Sequence, residues 1–576
     1  MADAKLAWQL TEQVTRLRQR QTGPLILELD LTDGLPEAPV TDPLSAIMSR
    51  RKVRLPDVLE GLRRARHDDR VRALVVKVGG GRIGLARMQE LREAVSVFRE
   101  SGKLAVAWAE TFGEFTQGNV PYYLATAFDR IYLQPSGTLG LTGIAVEQVF
   151  LHDALEKFGI GFASAKRYEY KSAADNLTER GFTGPAREAS MRLVASISEQ
   201  ITAAIAERRG KSAADARALL DRGPFLAADA LAEGLVDALG YRDEVYADVR
   251  KETGPEATLQ YVTRYQRSHA LVQRARRLPN PRERFVAVIH ASGPIKSGRS
   301  SHSPLGGSAM GSDTVAAALR AALADERARA VLLRVNSPGG SATASDTIWR
   351  EVVRLRAAGK PVVVSMSDVA ASGGYFIAAP ADVIVAQPGT LTGSIGVIMG
   401  KPVLEDALHR VGVTTDAVSV GAGATMLSPF HPFSEDEWTR INAWLDAIYA
   451  DFTEKVAAGR RMPIERVHEV ARGRVWTGAD AAQNGLVDEL GGMQAAAEIA
   501  RRRAGLPADA PLRVYPRMTP FDQLRPPESS EARPAAAATL GFADTFSGWG
   551  PAWRLAASAG LPPYGPLMLP GRWIIT

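Results

Sequence analysis

The chain has 576 residues and not one cysteine. That single absence removes disulfides, thiolate metal ligands and cysteine nucleophiles together. It leaves the compartment open, because a chain without cysteine tolerates either redox environment. Long apolar runs are missing as well: no window supplies the ~18 uncharged apolar residues that a membrane-spanning helix needs. Met1 to Arg20 alternates charged and apolar residues, which predicts a short amphipathic helix without the apolar stretch of a signal peptide. Histidine is scarce, at 8 residues, and charge of one sign is not in excess: 70 Lys+Arg face 64 Asp+Glu, a net +6. The arginines are spread along the chain, so a nucleic-acid partner is not implied, and mild attraction to anionic lipid is the most this charge supports.

What is present is an ordinary globular composition, 45% apolar and 23% charged, in a chain long enough for about three to four domains. Strand-like runs at Leu25–Leu29, Ala73–Val78, Leu104–Trp108 and Phe128–Leu133 alternate with helix-like segments such as Gly84–Ser101. This is the pattern of an α/β domain built from βα units.

The chain also repeats itself. Arg70–Val78 returns as Arg327–Val335, Tyr123–Ala127 as Tyr375–Ala379, Ala154–Ile160 as Ala407–Val413, and Gly234–Asp237 as Gly485–Asp488. The order never breaks, so two copies of one α/β unit are expected, residues 23–254 and 284–505. An amphipathic segment, 1–22, precedes them. A linker, 255–283, joins them, its basic, proline-bearing part running from Arg267 to Glu283. The Gly/Ser-rich loop Ser297–Ser312 is expected to be mobile, and close to function if it borders a cleft. A tail, 506–576, follows. Within it the Pro/Ala/Glu-rich stretch Pro516–Thr539 reads as disordered, and the end, with Trp549, Trp553 and Trp573, is expected either to pack back on the body, the default, or to touch a lipid interface.

The copies differ where chemistry would sit. Ser372, followed by Gly373 and Gly374, lies where the apolar run Pro361–Val364 gives way to an Ala-rich helix, and the first copy has Val120-Pro121-Tyr122 there. Conversely, Lys171 of the first copy falls opposite Val420–Met426, which holds no lysine. Ser372 alone would read as a helix N-cap, and Lys171 alone as a solvated surface lysine. Complementary losses suggest instead one site assembled from both halves. None of the histidines forms a recognisable pattern with Ser372. A neutral lysine is the other base for a serine, provided burial lowers its pKa from ~10.4 toward about 7 to 8. Asn336–Gly340 and Gly373 can supply backbone N–H groups to an oxyanion, although a plain turn would also explain those glycines. Ser394, in Gly389–Gly396, can hydrogen-bond the lysine amine; the matching turn of the first copy has no serine.

Tyr170-Lys171-Ser172-Ala173, Asn336-Ser337-Pro338-Gly339-Gly340, Ala371–Tyr375 and Leu391–Gly396, in that order and spacing, resemble the long form of signal peptide peptidase A, or protease IV. The likeness covers about residues 23–505. It implies a tandem duplication in the Clp-protease and crotonase superfold and a serine endopeptidase that cuts apolar peptides such as cleaved signal peptides. It implies Ser372 as nucleophile, Lys171 as general base, Ser394 as the residue orienting the lysine, and Gly339 and Gly373 as oxyanion donors. No metal or cofactor is expected. The family forms bowl-shaped rings, a tetramer for the duplicated form, at or near membranes. The N-terminal anchor of the familiar long form has no counterpart in Met1–Gly23, which points to peripheral membrane contact or a cytoplasmic site. Two other classes stay open: a crotonase-like acyl-CoA enzyme, and a non-catalytic scaffold for membrane proteins.

Overall fold

The computed structural model describes residues 23–37, 53–79, 83–114, 116–276, 280, 282–303, 307–516, 539–540 and 567–568. The expected helix at Met1–Arg20 lies outside them, as do residues 517–538 of the stretch read as disordered and the aromatic end with Trp549, Trp553 and Trp573. The architecture is α/β and duplicated. In the first repeat, six parallel strands run across one sheet in the order Ala238–Leu239, Arg130–Leu133, Leu104–Ala109, Val71–Lys77, Leu25–Asp30, Thr258–Tyr261. The second repeat has the same core order with longer central strands: Glu489–Leu490, Val383–Ala386, Val362–Ala371, Ala328–Ser337, Phe285–Ser292, Leu512–Val514. Leu391–Gly393 and Val475–Thr477 extend it beyond Val362–Ala371. Residues 255–283, expected as the linker, contain the edge strand Thr258–Tyr261 and the helix Val262–Arg276. The Gly/Ser-rich loop forms two short antiparallel strands, Ser301–Ser303 and Gly307–Gly311.

The strands read as continuous apolar runs because both sheet faces are covered. Alternate residues of Leu25–Asp30 and Val71–Lys77 point to opposite sides. Leu25, Leu27, Leu74 and Val76 enter the main core, whereas Ile26, Ala73 and Val75 meet Val245, Tyr246 and Val249 of the helix Arg242–Thr253. In the second repeat Val286, Val288, Leu332 and Val363 meet Ala496, Ala497 and Ala500 of the helix Met493–Arg503 in the same way. Each such fully buried aliphatic side chain contributes about 1.5–3 kcal/mol.

Three features hold the repeats against each other. Gly161–Arg167 of the first pairs antiparallel with Val397–Val403 of the second over seven residue pairs. The long helix Gly184–Arg209 reaches across, with Arg192 paired to Asp480 at 2.8 Å and Ser196 2.9 Å from Thr477. Between the sheets Arg334 is fully buried and donates to Glu37, to Glu90 at 2.5 Å and to Ser365 at 2.6 Å, while Ser367 donates to Glu37 at 2.6 Å. Two carboxylates face one guanidinium there. Arg334 holds Glu37 ionised against its desolvation, and desolvation together with the Glu37 charge pushes Glu90 up to about 7.

Candidate active site

The strand Val362–Ala371 stops at Ser372 because the backbone turns sharply. Ser372 has φ 55 and ψ −115, and the helix Gly373–Ala378 begins at the next residue. A non-glycine residue held there costs about 1–3 kcal/mol, so the surroundings must enforce it. They do: the Ser372 N–H donates to the Gly393 carbonyl at 2.8 Å, and its own carbonyl accepts from Phe376 at 2.9 Å. Gly373 and Gly374 are required by close packing. A β-carbon on Gly373 would meet Ser345 Oγ at 2.7 Å, and one on Gly374 would meet the Ser337 carbonyl at 2.6 Å.

Lys171 arrives from the first repeat, four residues beyond the strand Gly161–Arg167. The ladder with Val397–Val403 carries it to the end of the second sheet. Its Nζ lies 2.8 Å from Ser372 Oγ and donates to the Ser394 carbonyl and Oγ, both at 3.0 Å. All three side chains are out of water. Burial alone holds the Lys171 amine well below lysine's ordinary 10.5. No carboxylate is among the causes, so nothing offsets the penalty that burial places on the ammonium. A neutral amine has two N–H donors and one lone pair. The two contacts to Ser394 use the donors and leave the lone pair for the Ser372 hydroxyl, the arrangement a proton acceptor needs. Ser394 is itself in the left-handed region, φ 52, fixed by its N–H donating to the Arg474 carbonyl at 2.7 Å.

The structure thus brings Ser372, Lys171 and Ser394 into one hydrogen-bonded group. Gly339 and Gly373 lie beside it: a β-carbon on Gly339, φ 104, would sit 2.8 Å from the Gly373 nitrogen. The Gly339 N–H donates to Ser337 Oγ at 3.2 Å. Sequence reasoning missed Ser337, Ser345 and Gly473. Gly473 packs on the Lys171 backbone, and the signal that could have found it is an Arg-Gly pair ahead of an Ala-Asp run in both copies, Arg222-Gly223 and Arg472-Gly473.

The family model described as Peptidase family S49 matches residues 98–255 and 354–507, one stretch in each repeat and together more than half of the chain. The chain belongs to peptidase family S49. Curated relatives agree. The chloroplastic serine protease SPPA of Arabidopsis thaliana is 32% identical over 79% of this chain and 66% of its own length. Protease 4 of Salmonella typhi is 33% identical over 76% of this chain and 69% of its own, and Protease 4 of Haemophilus influenzae 32% over 81% and 77%. Among solved structures, a ClpP1 mutant from Listeria monocytogenes aligns with 35% of this chain and 90% of its own, at 15% identity and a TM-score of 0.22. As an S49 member the chain is a serine peptidase. Among the described residues no helix is long and apolar enough to cross a membrane.

Proposed function

We propose that this S49 peptidase is an endopeptidase that hydrolyses apolar peptides, cleaved signal peptides among them, with Ser372 as nucleophile and Lys171 as base. The observation that carries the reading is the 2.8 Å approach of Lys171 Nζ to Ser372 Oγ in a site where burial disfavours the ammonium. The Ser372 oxygen attacks the scissile carbonyl as its proton passes to Nζ, and the carbonyl electron pair moves to the oxygen. Gly373 and Gly339 N–H groups receive that oxyanion. Its collapse breaks the C–N bond, and the Lys171 ammonium returns the proton to the leaving amine. Water, deprotonated by the same amine, then releases the acid from the ester. Ser394 acts through Lys171 by keeping Nζ in line.

The active unit in this reading is a ring of copies, a tetramer. Within one chain Gly161–Arg167 pairs with Val397–Val403. The repeat register makes 414–420 the counterpart of the former and 144–150 the counterpart of the latter. Neither counterpart forms a strand, Val418 and Val420 are fully exposed, and Val149 is mostly exposed. The 414–420 segment of one copy and the 144–150 segment of the next can therefore form between chains the ladder already made within each. Peripheral contact with a membrane is supported by the net charge of +6 alone.

The test is hydrolysis of an apolar fluorogenic peptide by the purified protein and by Ser372→Ala, with an enoyl-CoA assayed in parallel. Peptide turnover that Ser372→Ala reduces by about 1000-fold or more supports the reading. Turnover of the enoyl-CoA instead, or full peptide turnover by Ser372→Ala, contradicts it.

A further inference from the structure

Arg474 makes contacts in two directions. Its carbonyl accepts the Ser394 N–H at 2.7 Å, and Gly473 just before it donates to the Ile395 carbonyl at 2.7 Å, so the peptide unit between them brackets the turn that carries Ser394. Its side chain leaves the second repeat and ends on the first. The guanidinium lies 5.0 Å from the centre of the Tyr170 ring and 4.5 Å from that of the Trp476 ring. It also pairs with Glu188 Oε1 at 2.9 Å. Tyr170 donates its hydroxyl to Glu188 Oε2 at 3.0 Å, so one carboxylate holds guanidinium and phenol together. The residue after Tyr170 is Lys171.

The Glu188 side chain is 56% exposed, and an ion pair in such a place does little by itself. Stacking makes this one firm. The Arg474 side chain is only 17% exposed, and a planar guanidinium can lie against aromatic faces while bonding a carboxylate in its own plane, which a lysine ammonium cannot do. Arg474 Nε is buried without a hydrogen-bond partner among the described residues. A buried unpaired donor costs stability, so the stacked placement is kept in spite of that loss. The first repeat has no serine in place of Ser372, and after Gly223, the counterpart of Gly473, it carries Pro224 where the second carries Arg474.

We propose that Arg474 is a positioning residue for the dyad: its carbonyl fixes Ser394, its guanidinium pins Tyr170, and together they hold Lys171 Nζ against Ser372 Oγ across the seam between the repeats. The inference rests on the reading of Ser372 and Lys171 as nucleophile and base. Arg474 acts only through Lys171 and Ser394, so its loss slows the proton-transfer steps and leaves peptide binding alone.

The experiment compares the full-length parent with Arg474→Gln, with Arg474→Lys and with Tyr170→Leu, a change in the first repeat that takes the ring away from the guanidinium. Both kcat and KM are measured on an apolar fluorogenic peptide, hydrogen exchange is followed at the Tyr170, Lys171 and Ser172 amides, and melting curves establish that each variant is folded. The expected result is a kcat lowered by about tenfold in all three variants with KM within about twofold of the parent. Arg474→Lys should do no better than Arg474→Gln, and the three amides should exchange faster. Parental kcat in folded Arg474→Gln and Tyr170→Leu overturns the proposal. So does a kcat lost in Arg474→Gln and restored in Arg474→Lys, because charge alone would then suffice. Faster exchange in the variants when no Ser372-bearing protein, the parent included, hydrolyses peptide upholds the clamp and overturns the peptidase mechanism instead.

Discussion

Gly473 lies directly against Lys171. A β-carbon built on Gly473, whose φ is 85, would sit 2.6 Å from both the backbone nitrogen and the β-carbon of Lys171 and 2.7 Å from its α-carbon. Those atoms are the root of the lysine side chain, so Gly473 fixes where Nζ can reach. Its own N–H donates to the Ile395 carbonyl at 2.7 Å, next to Ser394, tying the support of the lysine to the turn that carries Ser394.

Gly473→Ala is expected to displace Lys171 without touching Ser372. A misplacement of about 1 Å costs on the order of 100-fold in rate. Steady-state assays should show kcat lowered by about that factor with KM little changed, and thermal unfolding should remain cooperative. Parental kcat in the variant would remove Gly473 from the positioning of the base.

Lys171 lowers the stability of the fold that uses it. The folded pKa lies well below 10.5, so between that value and 10.5 the unfolded chain binds more protons than the folded one. Stability attributable to this residue therefore rises with pH across that window. Lys171→Met, which keeps the length and drops the amine, should melt above the parent at neutral pH, with the gain shrinking as pH approaches about 10. Calorimetry at several pH values checks the sign. A variant that melts below the parent throughout would contradict it.

The buried cluster between the repeats makes two opposed predictions. Arg334→Ala leaves two carboxylates facing each other out of water and should cost about 3–5 kcal/mol. Glu90→Gln should be mild. Glu90 is pushed up to about 7 from 4.5, so over that interval it is protonated when folded and ionised when unfolded. The stability it contributes is present below about pH 4.5 and is lost as pH rises toward about 7. Glutamine stays neutral in both states, so the urea midpoint of Glu90→Gln should gain on the parent across the interval. Parallel pH profiles for the two proteins would exclude that titration.

Ring assembly is tested at the exposed segment 414–420. Val418→Lys with Val420→Lys adds charge to residues that are fully exposed in the monomer, so the fold should be unaffected. Light scattering should then give a smaller particle than the parent, and equal masses would rule out that segment as the contact.

Much of the α/β layout is legible in the amino-acid order. Runs such as Ala73–Val78 and Leu104–Trp108 are dense in β-branched and aliphatic residues because both sheet faces are covered, and they form the strands Val71–Lys77 and Leu104–Ala109. The duplication is legible because both copies bury equivalent cores. Complementary differences between the copies direct attention to Lys171 and Ser372, yet their 2.8 Å separation is set by a ladder between segments far apart in the chain, with Arg167 opposite Val397 at one end and Gly161 opposite Val403 at the other. No local pattern encodes such a pairing. The edge strand at Thr258–Tyr261 is hidden for a related reason: four residues of mixed polarity become a strand only because Leu25–Asp30 offers them an edge. Leu567 is similarly silent, an apolar residue among prolines until Gly339–Gly340 pairs with it.

In the proposed mechanism an uncharged amine at position 171 serves the hydroxyl at position 372. The direct measurement is the rate at which a peptidyl phosphonate labels Ser372 from about pH 5 to about pH 10, in the parent and in Lys171→Ala. The parent rate should climb to a plateau with a midpoint well below 10.5, and Lys171→Ala should lose that midpoint and label about 1000-fold more slowly. Labelling of folded Lys171→Ala at the parental rate with the same pH profile would contradict it.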